Sequence, residues 1–325
     1  MKSHAIRVHQ PGGPDSMVWE EVEVPAPAAG QVLLRHTAVG LNYIDVYHRS
    51  GLYPAPLPFT PGLEGAGLVE AVGEGVTEFK AGDRVAYANP PLGAYAQIRV
   101  MPADRLVKLP DGIDDRKAAA MMLQGMTAQY LLRRTYRVQK GDTILIHAAA
   151  GGVGLLVCQW AKHLGATVIG TVGSPEKAEL ARKHGCDHPI LYKTEDFVAR
   201  VREITAGEGV PVVYDSVGAD TFLKSLDCLR PLGMMVSFGQ SSGKVELLDT
   251  GLLAAKGSLF LTRPSLMAYT AKRADLVASA AELFEMVEQG VVKVEINQIY
   301  SLEDAAQAHR DLEARKTTGS TLLLP

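Results

Sequence analysis

At 325 residues, 47% of them hydrophobic and 21% charged, the chain carries enough apolar material for two cores of ordinary size, and two domains are expected. A formal net charge of −3 excludes the one-sign footprint with which a dedicated nucleic-acid or membrane-surface protein gathers a polyanion. The three cysteines, Cys158, Cys186 and Cys228, lie too far apart for a disulfide framework or a zinc knuckle and read as reduced thiols of a cytoplasmic protein. No leader-like or membrane-crossing stretch is expected.

Over 30–107 the text is glycine, proline and short alternating apolar runs, such as Gln31-Val-Leu-Leu and Gly67-Leu-Val-Glu, and predicts strands and turns. Residues 1–123 are expected to form a mainly β domain. Helical composition follows at 116–123 and 127–134, predicting two helices split around Gly125. Buried strands then alternate with amphipathic helices: strand 143–147, helix 154–163, strand 167–172, helix 175–184, and further strands at 211–215, 234–238 and 258–262. That alternation specifies a parallel sheet covered by helices, close to the strand count of a complete dinucleotide fold. A helix over 271–289, a strand at 293–297, a helix near 302–314 and a last strand at 320–324 break the alternation. This tail is expected to return to the first domain, giving one discontinuous domain of 1–123 and 265–325 and a second of 124–264. The apolar strand 258–262 is expected at the sheet edge, where it invites pairing with another chain. Cys158 and Cys228 read as packed helix residues, and Cys186, beside Gly185, as the more exposed thiol.

The strongest local signal is His147-Ala-Ala-Ala-Gly-Gly-Val-Gly, between a hydrophobic strand and a helix. Ala149, Gly151 and Gly154 hold the three fingerprint positions, and small residues there let backbone N–H groups of 151–154 meet a pyrophosphate at the positive end of the helix. The end of the next strand chooses between nicotinamide cofactors. A carboxylate there accepts the adenosine ribose hydroxyls and repels a 2′-phosphate, but the sequence reads Gly173-Ser174, with Lys177 one turn on and Tyr192 after the following strand. NADPH is therefore expected; the competing reading has Ser174 as a helix cap and Lys177 as a surface lysine, and Glu176 weighs slightly against the extra phosphate.

Four segments carry a family resemblance: Asn42-Tyr-Ile-Asp-Val-Tyr-His-Arg-Ser-Gly-Leu-Tyr, Pro61-Gly-Leu-Glu-Gly-Ala-Gly-Leu-Val, Ala81-Gly-Asp-Arg-Val and the loop from Ala149 to Gly154. Together they resemble the medium-chain dehydrogenase/reductase superfamily. Within it the chain is most similar, from first strand to last, to the zinc-free NADPH:quinone oxidoreductases related to zeta-crystallin. The resemblance implies an α/β protein: a Rossmann doubly wound domain plus a GroES-like, mainly β catalytic domain, with the acceptor held in the cleft between them. The zinc alcohol dehydrogenases of the superfamily have cysteine where Asn42 stands and histidine where Leu63 stands, before the retained Glu64. An amide and a leucine do not replace a thiolate and an imidazole, so no zinc is expected and Glu64 reads as a structural carboxylate. The first domain has no cysteine, which also removes the structural zinc lobe. His4, His9, His36 and His48 lack ligand spacing and read as surface or loop histidines.

Without a Lewis acid an alcohol's developing alkoxide has no partner, whereas a quinone or a conjugated carbonyl spreads incoming charge over its own π system. The expected activity is NADPH-dependent quinone reduction, the alternative being reduction of conjugated enones or alkenals; a structural or RNA-binding role is disfavoured because no basic stripe or interleaved aromatics are present. Asn42, Tyr47, Tyr53 and Arg263 are candidate donors toward the acceptor's carbonyl, though Tyr47 and Tyr53 read equally well as packing aromatics. By resemblance, Tyr43, Ile44, Asp45, Val46 and Tyr47 lie at the nicotinamide end, with Asp45 near its ribose, while Tyr130, Gly152 and Val153 border the phosphates. Val217, Phe238, Gly239, Gln240, Ser241, Pro264, Ser265 and Arg315 resemble further cofactor contacts. The family's subunits join along the sheet edge, so a homodimer through 258–262 is implied.

Overall fold

The computed structural model of the chain describes residues 1–246 and 249–325. It divides into two compact units, Met1–Met126 with Thr270–Glu288 and Val294–Pro325, and Thr127–Tyr269 with Gln289–Lys293.

The first unit is organised by its longest strand, Gln31–Leu41, whose inward positions are buried along nearly its whole length. One side pairs antiparallel with Glu64–Val72 through two register shifts; the other takes Ile98–Pro102 and, near its end, Ser320–Leu324. Arg84–Ala88 and Val107–Lys108 extend the sheet beyond Glu64–Val72, and Ile296–Ser301 extends it in parallel beyond Ser320–Leu324. A hairpin of Lys2–Val8 and Met17–Glu23 stands apart from this sheet. Ile6, Leu34, Val69, Tyr87, Tyr95 and Met101 close the core.

Helix Tyr43–Arg49 leaves the long strand through Asn42, which is extended. Its N-terminus is held by the Asn42 N–H donating to Asp45 Oδ2 at 3.0 Å, a capping-box arrangement that satisfies an otherwise orphan amide. At its other end Arg49, 2% exposed, donates to both carboxylate oxygens of Glu313 at 2.8 and 2.9 Å and to the Gly12 carbonyl at 3.1 Å. Glu313 closes helix Ala305–Glu313, so a buried cation and a fork of two hydrogen bonds dock the two helices together.

In the second unit all six strands are parallel, in the order His188–Leu191, Thr167–Val172, Thr143–Ile146, Val210–Asp215, Leu229–Ser237, Phe260–Thr262. The sequence order reverses between the third and fourth, the switch point outside which such sheets bind ligands. Val210–Asp215 is buried at every position, as a strand covered on both faces must be. Helix Gly152–His163 buries Leu155, Leu156, Cys158 and Trp160, and Phe197, Phe222 and Leu226 pack with Ile169 and Met235 in the unit's core.

Several sequence expectations are corrected. Helix Met122–Tyr130 runs straight through Gly125, and the interruption comes earlier, at Ala120 and Met121. A β-carbon at Gly125 would stand 2.6 Å from Leu283 Cδ2, so this glycine marks close helix contact and not a break. The edge strand begins at Phe260 rather than 258, because Gly257 and Ser258 both take positive φ, 111° and 55°. The penultimate strand is Ile296–Ser301, not 293–297. Its partner starts only after left-handed Gly319, and the Ser320 N–H meets the Glu295 carbonyl at 2.7 Å. Cys186 is buried, 2% exposed, with its thiol on the Val168 carbonyl at 3.7 Å. Among the described residues no helix is long and apolar enough to cross a membrane.

Removing one member of a buried charge pair strands the other. Glu313→Gln should therefore lower the unfolding free energy in urea by about 1–3 kcal/mol, discounted because the Glu313 side chain is 33% exposed. Adding Arg49→Met to Glu313→Gln should cost less than the sum of the two single changes. Strict additivity would show that the pair is not coupled.

Candidate cofactor site

The strand Thr143–Ile146 ends at His147, and Ala148 turns the chain with φ of 55°. The Gly151 N–H closes the turn onto the Ala148 carbonyl at 2.9 Å, and the Ala149 N–H bonds the Thr171 carbonyl of the neighbouring strand at 3.0 Å. Helix Gly152–His163 then starts with no side chain capping it and no acidic residue in its first turn. A β-carbon at Gly154 would lie 2.7 Å from the Ala149 carbonyl carbon. Loop and helix are thus packed backbone on backbone, and the first turn carries neither a capping side chain nor a carboxylate to compete with an anion for its amides.

One strand over, Gly173 and Ser174 follow Thr167–Val172. The Tyr192 hydroxyl sits 3.2 Å from where a Gly173 β-carbon would be. Ser174 caps helix Pro175–Lys183 by accepting from the Lys177 N–H at 3.4 Å, and its hydroxyl holds the Glu176 carboxyl below the usual carboxylate range. Ser174 therefore carries the capping role, while Gly173, Ser174, Lys177 and Tyr192 still gather at one strand end with no acid in the discriminating position.

Asp215 closes the fourth strand and accepts the Val217 and Gly218 amides on Oδ1 at 2.7 and 3.0 Å. The turn after Leu229–Ser237 is zipped to this loop: Phe238 N–H to the Asp215 carbonyl at 2.8 Å, Ser241 N–H to Ser216 at 3.1 Å, Ser242 N–H to Val217 at 2.8 Å. A Gly239 β-carbon would stand 2.6 Å from the Ser216 carbonyl. Arg263, just past the edge strand, donates to the Ser237 carbonyl at 2.8 Å; Pro264 and Ser265 follow, the latter's hydroxyl against Met267 at 3.4 Å. The Tyr130 and Tyr269 rings stack, centroids 4.5 Å apart and planes within 9°, and burial pushes the Tyr130 phenol well up.

In the first unit Asn42 turns inward. Its side-chain amide donates to Glu64 Oε2 at 2.5 Å and accepts from Gln124 at 3.2 Å. Glu64, fully buried, also accepts the Leu123 N–H at 2.7 Å. Asp45, equally buried, takes the Tyr95 hydroxyl on Oδ2 at 3.0 Å, and the same hydroxyl meets His309 Nε2 at 3.0 Å. Tyr43 and Tyr47, on the helix that also carries Ile44 and Val46, and Tyr53, just beyond its end, form a chain of inclined rings, 5.4 and 5.1 Å between centroids. Arg315 adopts φ of 59° just beyond helix Ala305–Glu313. His36 is corrected from a surface to a core histidine: 3% exposed, bonded to the Ala96 carbonyl and the Tyr87 hydroxyl, and pushed down to about 3 by burial. Among the described residues no group of three or more His, Cys, Asp or Glu side chains could hold a metal ion.

The residues expected at the site thus fall into two sets. Gly151, Gly152, Val153, Gly154, Gly173, Ser174, Lys177, Tyr192, Val217, the 238–241 turn and Arg263 gather at strand ends of the second unit. Asn42 through Tyr47, Tyr53 and Arg315 belong to the first. Tyr95 and His309, 214 residues apart, offer no local sequence signal. Of the polar side chains His147, Thr171 and Ser225, only His147 had one, a histidine directly after the apolar end of a strand.

Residues 28–111 match the family model described as alcohol dehydrogenase GroES-like domain, and 152–283 that described as zinc-binding dehydrogenase. The chain is 56% identical to a quinone oxidoreductase of Pseudomonas aeruginosa, covering 97% of each chain. It is 51% identical to a 2-haloacrylate reductase of a Burkholderia species, covering 99% of this chain and 98% of that one. The crystal structure of Escherichia coli quinone oxidoreductase complexed with NADPH superposes with a TM-score of 0.98 at 50% identity, covering 99% and 100% of the two chains.

Burial pushes the Glu64 carboxyl up to about 8 and that of Asp45 up to about 7. Unfolded, both titrate near 4, so across the interval the folded state binds more protons and stability falls as pH rises from about 4.5 to about 8. Glu64→Gln should flatten that fall. Thermal melts at about pH 5.5 and about pH 8.5 should show a loss of Tm in the parent that is a few degrees larger than in the variant; parallel losses would refute a protonated Glu64.

Proposed function

The chain belongs to the quinone oxidoreductases of the medium-chain dehydrogenase/reductase superfamily, and from that membership we propose that it passes electrons from NADPH to quinones without a metal. What carries this reading is the pairing of an uncapped, carboxylate-free helix N-terminus with an amide and a leucine, Asn42 and Leu63, where the zinc enzymes hold thiolate and imidazole. The bound cofactor supplies reducing equivalents from C4 of its nicotinamide.

The protein's part is binding, orientation and exclusion of water. The amides of 151–154 hold the pyrophosphate at the positive helix end. Lys177 supplies the charge for the 2′-phosphate, Tyr192 a phenol, and Gly173 the room beside them. In the first unit Asn42 and Leu63 offer zinc neither thiolate nor imidazole, and Glu64 is engaged by the Asn42 amide. An acceptor must delocalise the incoming charge itself, and a quinone does. Donors that lower the remaining barrier come from Tyr47, Tyr53 and Arg263. A second reading, reduction of conjugated acrylates or enones, is favoured by the likeness to the 2-haloacrylate reductase.

The edge strand Phe260–Thr262 leaves Phe260 57% and Leu261 40% exposed, and an unpaired apolar edge supports a homodimer joined there. Three free, buried cysteines support a reducing, cytoplasmic setting.

A single steady-state panel tests the activity: NADPH and NADH against a naphthoquinone, an enone and a 2-haloacrylate, with a chelator present, for the parent and Lys177→Ala. Quinones should turn over fastest and be indifferent to the chelator. Lys177→Ala should raise KM for NADPH about tenfold, the loss of one charge-assisted contact, and leave NADH within about twofold. Turnover abolished by chelation, or equal weakening of both cofactors, would overturn the proposal; faster turnover of the haloacrylate would select the second reading. Sedimentation should show a dimer for the parent and a monomer for Leu261→Glu, and a monomeric parent would remove the edge interface.

A further inference from the structure

Beneath the three cofactor loops of the second unit lies a closed polar network. His147, Thr171 and Asp215 sit at the ends of three neighbouring strands, Thr143–Ile146, Thr167–Val172 and Val210–Asp215, and are 1%, 2% and 0% exposed. His147 Nδ1 lies 2.8 Å from the Thr171 hydroxyl and Nε2 lies 2.9 Å from the hydroxyl of Ser225, a fully buried residue of helix Phe222–Asp227. Ser225 in turn reaches the Thr221 carbonyl at 2.9 Å and Asp215 Oδ2 at 3.3 Å, and the Thr221 hydroxyl donates to that same carboxylate oxygen at 2.8 Å. Phe197 meets the imidazole edge-on, 5.0 Å between centroids.

Burial lowers the imidazole's basicity, and a neutral imidazole donates through one ring nitrogen and accepts through the other. Both hydroxyls can take either role: with the proton on Nε2, His147 donates to Ser225 and accepts from Thr171, and with it on Nδ1 both directions reverse. The chain runs Thr171 to His147 to Ser225 and on to Asp215, whose other oxygen takes the Val217 and Gly218 amides. Every member is satisfied, the condition under which a buried polar network rigidifies its surroundings. Each strand-end residue also precedes a cofactor loop: 148–151, 173–174 and 216–218. A leucine or valine would fill the space under those loops; an imidazole fixes their spacing as well.

We propose that His147 is a positioning residue of the cofactor site, holding the three loops at the one mutual spacing in which they bind a nicotinamide dinucleotide together. The proposal rests on the NADPH reading above. His147 touches neither cofactor nor acceptor, so its effect falls on affinity and not on the chemical step.

The test uses the full chain and His147→Leu, His147→Gln, Thr171→Val and Ser225→Ala, with NADPH affinity measured by calorimetry, kcat with a quinone at saturating NADPH, and hydrogen exchange of the cofactor-free protein. His147→Leu removes two hydrogen bonds and should raise the Kd for NADPH about tenfold while kcat stays within about twofold. Thr171→Val, which removes one of the two contacts to the imidazole, should raise it about threefold, and Ser225→Ala, which removes the other together with the contacts to Thr221 and Asp215, at least about as much. His147→Gln offers one acceptor and one donor in place of the two ring nitrogens and should restore affinity to within about threefold of the parent. Exchange should quicken in 148–151, 173–174 and 216–218 together. An unchanged Kd in a folded His147→Leu protein, or loops that loosen independently, overturns the proposal. Should His147→Leu not fold, unchanged affinity in both Thr171→Val and Ser225→Ala overturns it equally. Failure of the parent to bind NADPH would instead strike the cofactor reading itself.

Discussion

An anion can approach the first turn of helix Gly152–His163 only if no side chain stands between it and the backbone amides, and much of the second unit follows from that requirement. Gly154 is held against the Ala148 and Ala149 backbone with no room for a methyl group. The tightness passes outward: a β-carbon at Gly170, in the adjacent strand, would strike Ala149 at 2.5 Å and the Cys186 thiol at 2.8 Å. Small residues at three sequence-distant positions, and a small thiol at a fourth, are consequences of one backbone having to lie close to a ligand.

The first unit solves a different problem. It keeps the carboxylate that accompanies zinc in its metal-using relatives but surrounds it with amides. Asn42, Gln124 and Ser320 form a line of donors and acceptors from Glu64 to the Ala120 carbonyl, and Gly40 lies so close that a β-carbon would meet the Glu64 carboxyl carbon at 2.8 Å. Asn42 and the Leu123 N–H satisfy both carboxyl oxygens, while burial still penalises the charged form.

Legibility in the sequence tracked locality. The alternation of strand and helix, the phosphate loop and the missing acid after the second parallel strand are contained within a few residues each, and they were readable. Gly125 misled because a glycine in a helical pattern reads as a break until the neighbour that needs the space, Leu283, is known. Cys186 and His36 misled for the same reason, since what buries them comes from elsewhere in the chain. Ser174 shows a further limit: one side chain can cap a helix and border a ligand, and composition does not rank the two. The role of the imidazole at 147 is not legible locally because its partners, Thr171 and Ser225, stand 24 and 78 residues away.

The guanidinium of Arg49 waits 264 residues for its carboxylate, and the strand that flanks Leu41 is the last in the chain. During synthesis, then, the unit that emerges first is completed last. The intervening segment Thr127–Tyr269 can collapse around its own sheet while the N-terminal half still lacks a counterion and an edge. Such a nascent chain presents unpaired β-structure and a half-desolvated cation to its surroundings until Glu313 and the strand Ser320–Leu324 have emerged.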